Sequence, residues 1–297
     1  MKPDYQGYRY NNLLRFKPMV FLENMGLQER LSLLKTIFSD VPSHENWNCI
    51  YEFFDSLRND NNEHVYFELA EKELASWEDS LKVVYSNSKY VLSDGVESLF
   101  IELIRGVIIY KRETKGNDHL YKIAKNKNLN HLTYLRIIDS ELLESGLKAL
   151  IGSENFQNLK ILSLESTVLS QEMKEIFFSG SFPKLTDLTL QKIGLSDKNS
   201  DLVINSSLLK NLNSLNLSFN ILSDSFLMKL VANIQFQNLQ RLVLTGNFLG
   251  DKAAEVISES SKIHSLQYLN ISKNQLTETS KKTLMDKMFT TELELIT

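Results

Sequence analysis

The chain has 297 residues, of which 42% are hydrophobic and 24% charged, and its formal net charge is −4. These values are ordinary for a soluble globular protein, so they exclude a disordered or collagen-like chain. The acidic balance also argues against a dedicated binder of nucleic acid or of an anionic membrane. Cys49 is the one cysteine, which excludes an intrachain disulfide, and we therefore expect a reducing, cytoplasmic environment.

The first eighty residues (1–80) have the apolar spacing of helices. Helices are predicted over 19–40, 47–57 and 65–81. Charge and proline interrupt the start of the chain before any apolar run reaches signal-peptide length, and later apolar runs are much shorter than the roughly 20 residues of a membrane span. We interpret this region as an α-helical N-terminal cap that covers one end of the array described below.

One segment of this helical region carries a second interpretation. The sequence Leu33-Leu34, followed by Ile37-Phe38-Ser39-Asp40-Val41-Pro42, resembles part of an F-box, the module that docks a substrate receptor onto a ubiquitin ligase. The Leu-Pro pair that opens an F-box would fall at Glu29-Arg30 here. The resemblance implies a substrate-adaptor role as an alternative to a simple cap.

Residues 81–128 predict two degenerate repeats of a strand and a helix. The first strand falls in residues 81–86, LKVVYS, and the apolar residues of 96–104 supply its helix. The second strand falls in 106–110, GVIIY, and a loop is predicted over 111–119.

A pattern Leu-x-x-Leu-x-Leu-x-x-(polar)-x-Leu recurs through residues 129–297. Its six copies begin at Leu132, Leu159, Leu185, Leu212, Leu239 and Leu266, so the gaps are 27, 26, 27, 27 and 27 residues. The alternation of leucine with polar residues predicts a short half-buried strand, and the helix-start residues that follow predict a helix. Because neither element buries its apolar face alone, the units must stack. Residues 293–295, LEL, predict one more strand.

The residue at the ninth position of the pattern predicts how the buried backbone groups in the turns of the stack find hydrogen-bond partners. It is asparagine in the last three copies, at Asn220, Asn247 and Asn274. An asparagine side chain can bond buried backbone groups of neighbouring turns. The third copy has Ile193 there, which cannot do so, and we expect that repeat to be irregular.

With this period and consensus, the chain resembles the leucine-rich repeat proteins of the ribonuclease-inhibitor-like subclass. The resemblance implies an α/β fold, a right-handed β-α solenoid with a parallel sheet on its concave face. It also implies a non-catalytic scaffold for protein–protein interaction. Many proteins of this class belong to eukaryotes or to bacteria that live inside them, and lysine and asparagine are abundant here. We therefore expect an effector that a bacterium delivers into host cytoplasm, with a ubiquitin-ligase adaptor or a small-GTPase regulator as alternatives.

Strand alternation predicts which side chains line the concave face. They are mostly small and polar and have no net sign, which suits a protein or peptide partner better than a phosphate polymer. Binding energy concentrates in a few Tyr, Trp and Arg residues. The predicted partner-binding residues are Tyr134, Arg136, Glu165, Asp187, Asn216, Phe219, Arg241, Tyr268 and Asn270. The alternative is that a partner contacts the N-terminal helices and that the concave face is an ordinary solvated surface.

Catalytic and metal-binding motifs are missing from the sequence. The five histidines have no His-x-x-His or His-Glu-x-x-His spacing, and the chain contains no glycine-rich phosphate loop and no nucleophile elbow. Cys49 fits a buried structural thiol better than a nucleophile. We therefore expect no enzymatic activity, metal, cofactor or small-molecule substrate.

Overall fold

The computed structural model describes residues 22, 24–57, 60–92, 98–110, 116–233, 238–288 and 293–297. Two compact units share the chain. One comprises Met1–Lys82 and Glu97–Ile104, and the other comprises Val83–Val96 and Arg105–Thr297.

The first unit is helical. Helix α2 begins after Ser43, whose hydroxyl accepts a hydrogen bond of 3.2 Å from the backbone N–H of Asn46. Aromatic rings form its core, where Trp47 stacks on Phe100 with 5.2 Å between ring centroids. The helices and 3₁₀ turns of this unit are α1 (Leu27–Ser39), α2 (His44–Ser56), α3 (Glu63–Leu74), Asp79–Leu81 and Leu99–Leu103.

The second unit contains one parallel sheet, in which each strand pairs with the next strand along the chain. Nine strands lie in the described part of the chain, and their spatial order is their sequence order. The strands are β1 (Val83–Tyr85), β2 (Gly106–Tyr110), β3 (Tyr134–Ile138), β4 (Ile161–Glu165), β5 (Asp187–Gln191), β6 (Ser214–Asn216), β7 (Arg241–Val243), β8 (Tyr268–Asn270) and β9 (Glu294–Ile296). This is the ladder that stacked strand-and-helix units produce.

Helices follow the strands of this unit. They are α4 (Lys89–Leu92), α5 (Gly116–Lys125), α6 (Glu144–Gly152), α7 (Gln171–Ser179), α8 (Ser200–Ile204), α9 (Asp224–Ala232), α10 (Asp251–Glu259), α11 (Ser261–His264) and α12 (Glu278–Met288). The predicted loop over 111–119 is wrong from Gly116 onward, because α5 starts there and buries Leu120 and Ile123 completely. Residues 111–115 lie outside the described residues.

Buried leucines hold adjacent strands in register. Leu215, Leu242 and Leu269 are direct partners on neighbouring strands, and each is fully buried. Burying one leucine side chain stabilises a fold by about 2 kcal/mol relative to leaving it exposed. The predicted α/β solenoid of stacked repeats is confirmed.

Asparagines at the ninth position connect neighbouring turns. The Asn220 Oδ1 atom accepts bonds of 3.2 and 3.0 Å from the N–H groups of Ile193 and Leu195, one repeat earlier. Its Nδ2 atom donates to the carbonyls of Leu190 and Leu217, at 2.8 and 2.9 Å. Asn247 and Asn274 repeat this pattern. The turns therefore have their backbone groups satisfied in the interior, as buried backbone must.

The repeat that contains Ile193 is irregular, as its sequence predicts. Its helical part is divided into a 3₁₀ turn at Asp197–Asn199, the five-residue α8 and a second 3₁₀ turn at Ser207–Asn211. Ile193 is fully buried and contributes only its side-chain bulk. Asn220 of the next repeat bonds the backbone of this turn, and the backbone carbonyl of Ile193 accepts the N–H bond of Leu169 in the preceding repeat at 3.1 Å.

The eighth position of every complete repeat has a left-handed backbone. Its φ is positive at Asp139, Ser166, Lys192, Phe219, Gly246 and Lys273. The N–H at this position donates to the next repeat, for example from Phe219 to the carbonyl of Thr245 at 2.8 Å. A positive φ ends the strand and starts the turn, but it is strained for a bulky side chain such as Phe219.

Replacing the Asn220 side chain should show that the asparagines hold the stack together. We expect Asn220→Ala to lower the free energy of unfolding by about 3 kcal/mol, because it leaves the N–H groups of Ile193 and Leu195 without an acceptor in the interior. Urea unfolding followed by circular dichroism measures this change. Asn213→Ala is the control, since Asn213 is exposed in the same repeat. Equal losses from the two variants would contradict this role.

Candidate functional site

The strand face consists of the side chains that alternate outward with the buried leucines. Its first row follows the register of the ladder through Tyr134, Ile161, Asp187, Ser214, Arg241 and Tyr268. A second row runs parallel to it through Arg136, Ser163, Thr189, Asn216, Val243 and Asn270. These are the rows that strand alternation predicts from the sequence.

An ion pair lies on the strand face at β3 and β4. The Arg136 guanidinium donates two parallel bonds to Glu165, from Nε to Oε1 at 2.7 Å and from Nη2 to Oε2 at 2.8 Å. The Ser163 hydroxyl donates a further bond of 2.6 Å to Oε1. This two-pronged geometry fixes both side chains in one orientation.

Burial and hydrogen bonding set the ionisation of this cluster. Burial raises the pKa of the Glu165 carboxyl, but bonds from Arg136 and Ser163, together with the charge of Arg136, outweigh burial, so that the pKa lies below its usual value. Burial raises the pKa of the Tyr134 phenol, in spite of the nearby charge of Arg136. At neutral pH the cluster therefore presents a paired arginine and carboxylate beside a neutral phenol.

A second cluster lies at β7 and β8. The Arg241 guanidinium carbon stands 3.6 Å from the centroid of the Tyr268 ring, in a cation–π contact. The Asn270 Nδ2 atom donates to the Tyr268 hydroxyl at 3.2 Å, and its Oδ1 atom accepts bonds from the hydroxyls of Thr245 and Ser272, at 2.9 and 2.7 Å. These contacts hold an exposed arginine over an aromatic ring.

Smaller side chains occupy the strand face between the two clusters, on β5 and β6. The Asn216 Oδ1 atom accepts bonds from the backbone and the hydroxyl of Ser218, so this amide is turned toward its own strand. The Asp187 carboxylate accepts a bond of 2.8 Å from the Thr186 hydroxyl. No basic side chain in the described part of the chain forms an ion pair with Asp187. The strand face therefore has large, preorganised side chains at β3–β4 and β7–β8. Between them lie smaller side chains and one carboxylate, that of Asp187.

Phe219 is the one predicted partner-binding residue that lies off the strands. It occupies the turn after β6, and 43% of its side chain is exposed. Sequence reasoning did not select Ser163, Thr245 and Ser272, although these hydroxyls hold Glu165 and Asn270 in place. Ser163 lies in the second outward row, and Thr245 and Ser272 each lie two residues after a member of that row. The alternation of the strands was therefore the available signal.

The described residues contain no assembled site for a metal ion or for thiol chemistry. Among them, no three His, Cys, Asp or Glu side chains gather as a metal ion requires. Burial and the nearby carboxylates of Glu52, Glu45 and Asp40 raise the pKa of the Cys49 thiol to about 11. The thiol is therefore protonated at neutral pH, a form that is a poor nucleophile.

The fold and the strand face define a leucine-rich repeat solenoid. Its units have a strand, a turn that carries the ninth-position residue and a helical segment, and they stack in sequence order. In the described part of the chain, no helix has both the length and the apolar character that crossing a bilayer requires.

The known proteins that resemble this chain are solved structures of low sequence identity. No protein-family model matches the sequence, and no curated protein is significantly similar to it. A solved structure from Bacteroides fragilis is 16% identical, over 70% of this chain and 68% of that one, with a TM-score of 0.49. A leucine-rich repeat protein from Leptospira interrogans is 14% identical, over 67% of this chain and 56% of that one, with a TM-score of 0.36.

A third similar structure is that of the yeast Rad7 and Elc1 complex. The identity is 16%, over 88% of this chain and 68% of that one, with a TM-score of 0.40. The assignment of this chain to the leucine-rich repeat fold rests on its own ladder of strands and on its buried leucines and asparagines.

The Arg136–Glu165 pair should make stability depend on pH. Because folding lowers the pKa of Glu165, the pair stabilises the fold above the carboxyl pKa of the unfolded chain, and this stability is lost as the pH falls through the folded pKa. In Arg136→Gln we expect a higher Glu165 pKa and a smaller loss of stability between neutral and acidic pH. Carboxyl ¹³C titration by NMR measures the pKa.

Lys148→Gln is the matched control, because the Lys148–Glu144 ion pair lies on an exposed helix surface. We expect it to leave the Glu165 titration unchanged. A wild-type Glu165 that titrates at or above the ordinary value of about 4.3 would contradict the assignment.

Proposed function

We propose that this protein is an interaction scaffold that binds a protein or peptide segment across the strand face. The observation that carries the proposal is the pair of preorganised clusters at β3–β4 and β7–β8, with small polar side chains between them. Arginine and tyrosine are the residue types that most often dominate binding energy at protein interfaces. In this chain, hydrogen bonds and a cation–π contact already fix the orientation of arginine and tyrosine side chains.

Preorganisation supports a binding role for these side chains. Ordering a long side chain at an interface costs roughly 0.5–1.5 kcal/mol, and a side chain that is already ordered avoids that cost. Arg136 and Arg241 are both held before any partner arrives. The strand face also has both signs of charge, with Asp187 at its centre, which favours a partner of mixed charge over a polyanion.

The finer role that we propose is that of an effector acting in the cytoplasm of a host cell. The single cysteine supports a reducing compartment, because the chain makes no intrachain disulfide. The abundance of lysine and asparagine, which we interpret as the codon bias of an AT-rich genome, supports a bacterial source. Detection of the protein in host cytosol during infection, by tagged-protein fractionation, tests this role.

The structure favours the scaffold over the two regulatory alternatives. An arginine that acts on a bound GTPase must be free to reach the nucleotide, whereas Arg136 is paired with Glu165 and Arg241 is stacked on Tyr268. An F-box-like role for residues 33–42 would need its apolar residues for a partner, but Leu34 and Ile37 are completely buried.

The strand face is tested with a triple variant, Tyr134→Ala, Arg241→Ala and Tyr268→Ala. Affinity capture from host-cell lysate with the full chain, followed by mass spectrometry, should recover partners with wild type and lose them with this variant. Truncating even one dominant residue weakens binding about 30-fold.

A second triple variant, Tyr121→Ala, Lys252→Ala and Met285→Ala, is the control, because it removes similar exposed side chains from helices. We expect it to recover the same proteins as wild type. Equal recovery by wild type and the strand-face variant, with both folded by circular dichroism, would contradict the proposal.

A further inference from the structure

A row of exposed apolar side chains lies where the strands end and the turns begin, away from the strand face. Phe219 is 43% exposed, Ile221 58%, Phe248 49% and Val168 72%. We name these four residues the loop-edge patch. Isolated exposed apolar side chains are ordinary on protein surfaces, but a contiguous group of them marks an interaction surface.

Backbone bonds place two members of the loop-edge patch on adjacent turns. Ile221 and Phe248 both occupy the tenth position of their repeats, and they donate N–H bonds of 2.7 and 2.8 Å to the preceding repeats, at Leu195 and Leu222. The two side chains therefore lie on adjacent turns of the stack, at about the 4.8 Å spacing of neighbouring strands.

Two glycines leave room beside these side chains. A Cβ atom at Gly246 would stand 2.6 Å from the Phe219 ring, so the ring lies directly over this glycine. A Cβ atom at Gly194 would stand 3.5 Å from the Val168 side chain. Gly194 occupies the tenth position between Val168 and Ile221, so the apolar row has a shallow notch there.

Phe219 places a bulky aromatic side chain at the eighth position, where the backbone is left-handed in all six complete repeats. Its φ of 57° is one that bulky residues rarely adopt, and the equivalent position in the next repeat is Gly246. The left-handed backbone belongs to the repeat, and what distinguishes this turn is the half-exposed aromatic ring that Phe219 places on it.

Lysines flank the patch at the eighth position. Lys192 precedes Phe219 by one repeat, and the Lys273 ammonium stands 5.7 Å from the centroid of the Phe219 ring. Neither lysine forms an ion pair with a described residue. The acidic residues of the same turns, Asp197 and Asp224, instead accept backbone bonds from Ser223 and Gly250 at the starts of helices, where backbone dipoles offset their charge.

We propose that the loop-edge patch binds an amphipathic, acidic segment of a partner protein. Apolar anchors of that segment cover Phe219, Ile221 and Phe248, and its carboxylates meet Lys192 and Lys273. Two lysines match the carboxylates of a short acidic segment, whereas an anionic membrane surface is usually bound by a cluster of roughly four to eight Lys or Arg residues. The patch is a second surface, separate from the strand face.

Peptide display with random twelve-residue sequences, selected on the full wild-type chain, tests the proposal. We expect the enriched peptides to combine Asp or Glu with aromatic or large aliphatic anchors. A synthetic peptide of the enriched sequence should bind about 30-fold more weakly to the triple variant Phe219→Asn, Ile221→Ser and Phe248→Ser. The double variant Lys192→Glu and Lys273→Glu should weaken binding about tenfold and flatten its dependence on salt.

Two controls separate this surface from others. Met228→Ser with Met285→Ser removes exposed apolar side chains from helices α9 and α12, and we expect unchanged binding. The strand-face triple variant should also bind the peptide as wild type does. This result would test the loop-edge patch independently of the strand face. Phe219→Asn alone should keep or raise the melting temperature, because asparagine tolerates a positive φ better than phenylalanine.

Several results would overturn the proposal. These are a selection that enriches no acidic apolar motif, a peptide that binds the loop-edge variant as tightly as wild type, and a clear fall in melting temperature for Phe219→Asn. Self-association of wild type in sedimentation velocity that the triple variant abolishes would assign the patch to a second copy instead. Binding to vesicles of phosphatidylcholine and phosphatidylserine that the same variant abolishes would assign it to a lipid surface.

Discussion

The structure depends on the fact that no single repeat can bury its own apolar side chains or bond all of its own backbone groups. A three- to five-residue strand and a short helix leave apolar side chains and backbone groups exposed until the next repeat covers them. Leucines such as Leu215 and Leu242 bury each other across the ladder, while Asn220 bonds the backbone of the preceding turn. The apolar contact sets how the repeats pack, and the amide bonds fix the register between them.

Register links this constraint to the proposed function. Residues that are 26 or 27 positions apart in sequence stand next to each other on the strand face, which brings Arg241 beside Tyr268. The same register brings Arg136 beside Ser163, two residues before Glu165. The same register aligns the turns, so that Ile221 and Phe248 adjoin on the loop edge. Two surfaces of different chemistry thus arise from one repeat, a polar and preorganised strand face and an apolar patch flanked by lysines.

The sequence predicted the fold well because its signal is periodic. Leucine spacing located the strands, and the outward rows follow the observed pairing residue by residue. Glycine and polar residues dominate 116–119 and predict a loop, yet burial of Leu120 and Ile123 makes these residues helical. Contacts with residues that are distant in sequence determine the secondary structure of this segment, and local composition does not encode them.

Side-chain pairing within the candidate site was harder to predict. Arg136 and Glu165 were both selected, but their two-pronged bond depends on rotamers and on Ser163. The left-handed backbone at Phe219 had almost no sequence signal, because Gly246 alone among the six eighth-position residues is a glycine. A conserved geometry occupied by aspartate, serine, lysine and phenylalanine becomes visible only in three dimensions.

Native-state hydrogen exchange of the wild-type chain tests the central claim most directly. The amides of Leu195, Leu222 and Leu249 lie in turns, but asparagine side chains of the next repeat accept their bonds. The account predicts that these amides exchange as slowly as the ladder amides of Leu217 and Leu244. Exchange at the rate of free loop amides would contradict it.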